Sequence, residues 1–238
     1  MTFVPPPAYG GWVNKDNLNI VVTGASRGIG AAIVASLEHR GAKVIGLSSR
    51  DGDLSDPETP ARLWQELLIR FDNRIDVLIN NAGIFEPNPI SQNDAEWLSA
   101  WNRTMQTNLT ASALFCRLAV LHWREQNASG RIVNMASRAA HRGDSPDHWH
   151  YAASKGGMVA MTKTIARAYA RENIYAFAIC PGFTMTGMAD DYLASRGGDG
   201  LLADIPLGRV AMPEEIAELA KGLLKDWFKL QDDEAKLM

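Results

Sequence analysis

Five short apolar runs, rich in β-branched residues and separated by longer stretches of helical periodicity, restrict what this chain can fold into more than any other feature. The runs are Asn19–Thr23, Lys43–Ser48, Ile75–Asn80, Arg131–Met135 and Ile174–Cys180, and the helical stretches are about 28–40, 57–71, 94–125, 150–172 and 213–229. None of the runs alternates strictly between apolar and polar residues, which is the pattern of strands covered on both faces. Strands joined by helices of about a dozen residues or more become parallel neighbours. The expected fold is therefore an α/β, single-domain, doubly wound parallel sheet over residues 18–238. Residues 1–17, with Pro5–Pro7 and no period, read as an N-terminal arm. A chain of 238 residues that is 46% hydrophobic can fill such a core.

Composition removes several function classes. A net charge of −3 lacks the basic surplus of a nucleic-acid binder. No apolar run approaches the roughly 20 residues of a membrane span, and the first residues lack a secretory pattern. Two cysteines, Cys116 and Cys180, cannot make a disulfide scaffold. The expected setting is reducing and cytoplasmic, with neither nucleic acid nor membrane as partner.

In doubly wound sheets ligands bind beyond the carboxyl ends of the strands. The first such end reads T-G-A-S-R-G-I-G, with Gly24, Ser26, Arg27, Gly28, Ile29 and Gly30. Glycines allow a tight turn and close approach of backbone to a ligand, and the helix that follows aims its free N–H groups at a phosphate. This points to a dinucleotide. Folds of this kind use an acid after strand two for the ribose of NAD and a cation for the extra phosphate of NADP. Here strand two ends in Ser48-Ser49-Arg50, and Arg27 adds a second cation, so the expected cofactor is NADP(H). Asp51 would partly cancel Arg50, while Asp53 and Leu54 could border the adenine.

Tyr151 and Lys155 lie four residues apart in Y-A-A-S-K and share a helix face. A tyrosine with pKa about 10 is a poor acid–base group near neutrality. An ammonium about 4 Å away contributes roughly 4 kcal/mol at an effective dielectric near 20, or nearly 3 pKa units downward. Such a phenol could exchange a proton with a carbonyl oxygen. Ser137 ends the strand before it and could hydrogen-bond the same oxygen, or merely form a turn. Asn80–Gly83 (N-N-A-G) ends strand three with small residues that admit a flat ligand.

Taken together, TGASRGIG, NNAG, Ser137 with Y-A-A-S-K, and C-P-G-F-T-M-T at 180–186 resemble the short-chain dehydrogenase/reductase family over about residues 18–217, notably its 3-oxoacyl-carrier-protein reductase-like members. The resemblance implies a Rossmann-type fold and an oxidoreductase acting on a ketone or secondary alcohol. It implies that Tyr151 is the proton donor and acceptor, that Lys155 lowers its pKa and holds the nicotinamide ribose, and that Ser137 polarises the carbonyl. Asn108 in M-Q-T-N-L-T matches the family's helical asparagine that anchors a relay water. Pro181, Gly182 and Thr186 match the segment that contacts the nicotinamide carboxamide, and Asn81, Ala82, Gly83 and Thr184 are further cofactor-binding candidates. The resemblance also implies a homodimer or homotetramer pairing through the helices at 94–125 and 150–172.

The chain departs from the family pattern in two places. Only Ser49–Gly52 separate strand two from Asp53, so the usual third strand is expected to be short or missing. No V-D-G-G-type ending follows M-P-E-E-I-A, so the C-terminal strand is expected to be absent. The polar segment Ala139–His150 has no zinc-site spacing and reads as a pocket-edge loop, with His150 or Trp149 near substrate and no metal. Met185–Ile205 reads as a substrate lid. A catalytically silent NADP(H)-binding sensor or scaffold is the alternative to an enzyme; the complete set Asn108, Ser137, Tyr151 and Lys155 favours the enzyme.

Overall fold

A computed structural model describes residues 18–186 and 205–224. The apolar runs form five strands: β1 (Asn19–Thr23), β2 (Lys43–Leu47), β3 (Val77–Asn80), β4 (Gly130–Met135) and β5 (Ile174–Ile179). All pair in parallel in the order β2-β1-β3-β4-β5. Opposite faces of the sheet take alternate residues, as the two-residue period of a strand requires. Val21, Leu78 and Ile132 pack under α2 (Thr59–Arg70) and α4 (Ala111–Glu125) through Leu63, Trp64, Leu67, Phe115 and Trp123. Ile20, Val22, Ile79 and Val133 pack under α1 (Gly28–Glu38) and α7 (Pro213–Gly222) through Ile33, Leu37, Ile216 and Ala220.

The chain reverses direction across the sheet between β1 and β3. That switch leaves a crevice at the carboxyl ends of the two strands, where the glycine turn and N-N-A-G both emerge. Among the described residues β2 is the outermost strand on its side. The chain leaves it through a loop at 48–58 and enters α2 directly, so no strand stands between them, in keeping with the short Ser49–Gly52 connection. The N-terminal arm, the expected loss of the last strand and nearly all of the proposed lid lie outside the described residues.

Two expectations need correction. The stretch 94–125 is not one helix. α3 (Asp94–Met105), capped by Asn93 accepting from the Glu96 amide at 3.0 Å, passes into a π turn at Gln106–Thr110 before α4 resumes. An extra residue in one turn leaves the apolar periodicity readable on both sides, which is why a single helix was the natural expectation. The segment 139–150 is not all loop either. It holds a short helix, α5 (Ala139–Arg142), and the first residues of α6 (Trp149–Tyr169). No helix among the described residues is long and apolar enough to cross a membrane.

Candidate active site

A cleft of about 440 Å³ opens at the crevice between β1 and β3. Its floor begins at the glycine turn. Gly24 has φ +65, and a Cβ there would come within 2.7 Å of the Ala82 backbone. A Cβ on Gly30 would lie 2.2 Å from the Gly24 carbonyl oxygen. Gly30 is therefore packed beneath the turn and does not line the cleft, whereas Gly24, Ser26, Arg27, Gly28 and Ile29 do. Thr23 and Asn81 lock this turn to the end of β3. Thr23 Oγ1 accepts from the Asn81 and Ala82 amides, both at 3.0 Å, and Asn81 Nδ2 donates to the Thr23 and Gly24 carbonyls, both at 3.0 Å.

Ser48, Ser49, Asp53 and Leu54 line one end of the cleft. Arg50 is exposed and is not among the lining residues. Of the two expected cations, Arg27 lines the cleft and Arg50 stands at its margin between the lining residues Ser49 and Gly52. The reason is the turn itself: the Asp51 carboxylate folds back onto Ser48, accepting from its amide at 2.8 Å and its hydroxyl at 3.0 Å. Asp53 accepts from the Ser55 amide at 2.9 Å, which holds its carboxyl below the usual range.

At the other end Asn81, Ala82, Gly83, Ser137, Tyr151, Lys155, Pro181, Gly182, Thr184 and Thr186 line the same cleft. Ser137 is buried at the end of β4, and its Oγ accepts from the Ala139 amide at 3.1 Å. Its turn-forming role is therefore real, and its place in the cleft is additional. Tyr151 and Lys155 do share a face of α6. Lys155 is 4% exposed, donates to the Met135 carbonyl at 2.7 Å, and carries its Nζ 5.8 Å from the Tyr151 ring centroid.

The predicted acidification of the phenol is not what this arrangement produces. Burial pushes Tyr151 above its ordinary pKa; hydrogen bonding with Ser137 opposes the rise and the Asp144 carboxylate adds to it. Burial acts on the ammonium as well, pulling Lys155 down to about 8, with Cys180 opposing. Desolvation disfavours the charged form of each group, so phenol and amine move toward neutrality together.

Asn108 is fully buried in the π turn and does not line the cleft. Its amide clamps the loop after N-N-A-G: Oδ1 accepts from the Ile84 amide at 2.8 Å and Nδ2 donates to the Ile84 carbonyl at 2.9 Å. The expected residues near substrate, His150 and Trp149, also lie off the cleft. His150 is buried in a row of rings with Trp101 and His148, and Trp149 is exposed with its ring set edgewise to Trp97. His148 in turn stacks on Phe85 with centroids 3.9 Å apart, and Phe85 presents an edge to Tyr151 at 4.8 Å. The cleft residues that sequence reasoning did not name include Ile84, Phe85, Arg103, Thr107, Arg138, Asp144 and Phe183. Phe183 sits inside C-P-G-F-T and Asp144 inside the segment expected to edge the pocket; Ile84 and Phe85 follow N-N-A-G and Arg138 follows Ser137, while Arg103 arrives through the fold. Both cysteines are free. Cys116 is buried beside Asn80 and Asn134 with its thiol pushed up to about 12, while Cys180 is only partly buried. No group of three or more His, Cys, Asp or Glu able to hold a metal occurs among the described residues.

A family model described as Enoyl-(Acyl carrier protein) reductase matches residues 46–231. The 3-oxoacyl-[acyl-carrier-protein] reductase of Vibrio cholerae is 33% identical over 223 residues, covering 86% of this chain and 88% of that protein. Its Escherichia coli counterpart is 32% identical over 236 residues, covering 90% and 92%. Among solved structures, ligand-free aldohexose dehydrogenase of Thermoplasma acidophilum superposes with a TM-score of 0.75 at 27% identity, covering 87% of this chain and 86% of that one. A variant of actinorhodin polyketide ketoreductase solved with NADPH superposes at 0.73 and 27%, covering 88% and 90%. With the family model matching residues 46–231 and relatives above 30% identity covering most of both chains, the chain belongs to the short-chain dehydrogenase/reductase family of oxidoreductases.

Proposed function

We propose that this protein is an NADP(H)-dependent enzyme that interconverts a ketone and a secondary alcohol, with 3-oxoacyl thioesters the first substrates to try. One observation carries the reading: Ser137, Tyr151 and Lys155 line the same cleft as the glycine turn. The cradle fits a dinucleotide, because the turn passes through Gly24 and Gly28 at φ +65 and +56 as bare backbone along the cleft, with Ser26, Arg27 and Ile29 beside them. Gly24, Ser26, Arg27, Gly28 and Ile29 would hold the diphosphate; Ser48, Ser49, Asp53 and Leu54 would border the adenosine; Asn81–Gly83, Pro181, Gly182, Thr184 and Thr186 would line the nicotinamide. When bound, the nicotinamide supplies or accepts the hydride. NADP(H) is favoured by Arg27 in the cleft and by the NADPH-bound ketoreductase relative.

The chain's own residues handle the proton. In reduction the carbonyl carbon gains a hydride and the oxygen gains the proton of Tyr151 Oη. A phenol kept protonated by burial is ready for that direction. The Ser137 hydroxyl donates a hydrogen bond to the same oxygen, which suits a C=O substrate better than a C=C one. Lys155, anchored on the Met135 carbonyl, offers a positive charge to the phenolate left behind. Asn108 positions Ile84, and through it the cleft wall. A homo-oligomer paired through α4 and α6 completes the proposal, with light scattering as its check.

The test is NADPH consumption with a panel of ketones, 3-oxoacyl esters and 2-enoyl esters. Turnover of the carbonyl compounds is expected. Binding of NADPH with no turnover of any carbonyl would favour the silent sensor. The pH profile adds a second expectation. Lys155 is charged below its value of about 8 and loses the charge above it. Reductive kcat/KM should therefore hold level on the acid side and fall as pH rises through about 8. In Lys155→Arg, whose guanidinium stays charged, that alkaline limb should vanish; a limb unchanged in the variant would contradict the assignment.

A further inference from the structure

We infer that Phe85 is a specificity-determining residue and His148 the positioning residue behind it: together they close one side of the carbonyl site, so that the ketone turns a methyl-sized group toward Phe85. Resting on the carbonyl-reducing reading above, this narrows the substrate class to short 3-oxoacyl compounds of the 3-oxobutanoyl kind. Phe85 lines the cleft beside Tyr151. The two rings meet at 81° with centroids 4.8 Å apart, an edge-to-face contact with no room for a carbon between them. A ketone whose oxygen reaches the Tyr151 hydroxyl therefore brings one of its two substituents against the Phe85 ring.

That wall is built not to yield. His148 stacks on Phe85 at 3.9 Å and 10° from parallel. It is 5% exposed, and its Nδ1 shares a 2.6 Å hydrogen bond with Ser145 Oγ. His150 and Trp101 continue the row behind it, at centroid spacings of 6.2 and 6.4 Å. The backbone is tied on both sides of Phe85 as well. Ile84 is clamped by Asn108, and the Asn88 amide donates to the Asp147 carbonyl at 2.8 Å, which joins the segment carrying Phe85 to the one carrying His148. A ring packed in this way moves only by displacing its neighbours, and close-packed groups resist that. The substrate class follows from the chemistry of a 3-oxoacyl thioester. One side of its carbonyl carries the acyl tail, and the other carries a methylene and the thioester arm. The arm leads on to a carrier and cannot end against a wall, so the side facing Phe85 takes the tail, and the tail is short.

The experiment compares NADPH-dependent reduction of ethyl 3-oxobutanoate and ethyl 3-oxohexanoate, which share one ester arm and differ only in the tail. A surplus methylene in a fixed apolar pocket is worth about 10–200-fold, so wild-type kcat/KM should favour the shorter ester by at least about tenfold. In Phe85→Ala the space of the ring is vacated, and the ratio should fall by about tenfold through a gain on the longer ester. His148→Ala should move the ratio in the same direction but less far, because Phe85 can then swing aside. His148→Phe, which restores a flat backing ring, should return the ratio to the wild-type value. A merely structural role for His148 would lower kcat for both esters alike and leave the ratio where it was. A wild-type ratio near one, or a Phe85→Ala ratio equal to that of the wild type, would overturn the inference. Phe85→Leu, expected to give an intermediate ratio, stands in should melting curves show that the alanine variant folds poorly. Failure of the function reading looks different: a wild type that reduces no carbonyl compound sinks both. One that reduces the two esters equally, or reduces other ketones but not the shorter ester, sinks only this one.

Discussion

Replacing Tyr151 with Phe should abolish carbonyl reduction while leaving NADPH bound. The substitution removes one oxygen and keeps the ring, so the edge contact with Phe85 at 4.8 Å is preserved. A positioned acid contributes typically about 10²–10⁴-fold, and kcat in Tyr151→Phe should fall by that amount. The NADPH dissociation constant, measured by fluorescence without substrate, should stay within about twofold. A fall of only a few-fold would mean that another group donates the proton, and Ser137 would be the first candidate. Because burial holds the phenol protonated, the loss should be as large at pH 6 as at pH 7.

Trp123→Ala should be the most damaging change far from the cleft. Trp123 is fully buried at the end of α4, and its indole Nε1 donates to the Ile75 carbonyl at 2.7 Å. Its ring also occupies the space above Gly130, where a Cβ would come within 2.0 Å. The ring therefore seals the amino-terminal edge of β3 and β4, at the opposite end of the sheet from the site. Large-to-small replacement of a buried tryptophan costs about 3–5 kcal/mol, a large part of a total that is usually about 5–15. In urea the unfolding midpoint should drop by roughly 1–3 M with little change in slope. The fraction still folded should bind NADPH with wild-type affinity, since nothing near Gly24 or Tyr151 moves. A midpoint within about 0.3 M of wild type would refute the packing argument.

These two residues mark what is legible in the sequence and what is not. The strands are legible nearly to the residue, because apolar runs covered on both faces have no other use in a chain that also carries helical patterns between them. The pairing of Tyr151 with Lys155 is legible from spacing on a helix. The electrostatic consequence is not, because it depends on how far water reaches, and burial moves both groups the opposite way from a simple charge pair. Arg50 illustrates a second limit. Its charge is visible in the sequence, but its place relative to the cleft depends on a turn that Asp51 closes onto Ser48, and a loop has no period to reveal such a turn. Arg103 reaches the cleft from α3, where no local pattern announces it, whereas Asp144 lies in the segment 139–150 that reads as a pocket edge.

The π turn at Gln106–Thr110 has a consequence for how this protein can vary. Each residue advances a helix by about 100°, so loss of one residue there would restore an ordinary helix and swing everything before it around the axis. Asn108 would then release Ile84, and Arg103, paired with Glu86 at 2.6 Å, would leave the cleft wall. Substitutions at the exposed positions of this helix are tolerable one by one. An insertion or deletion is not, because the count of residues between Trp101 and Ala111 is itself part of the site.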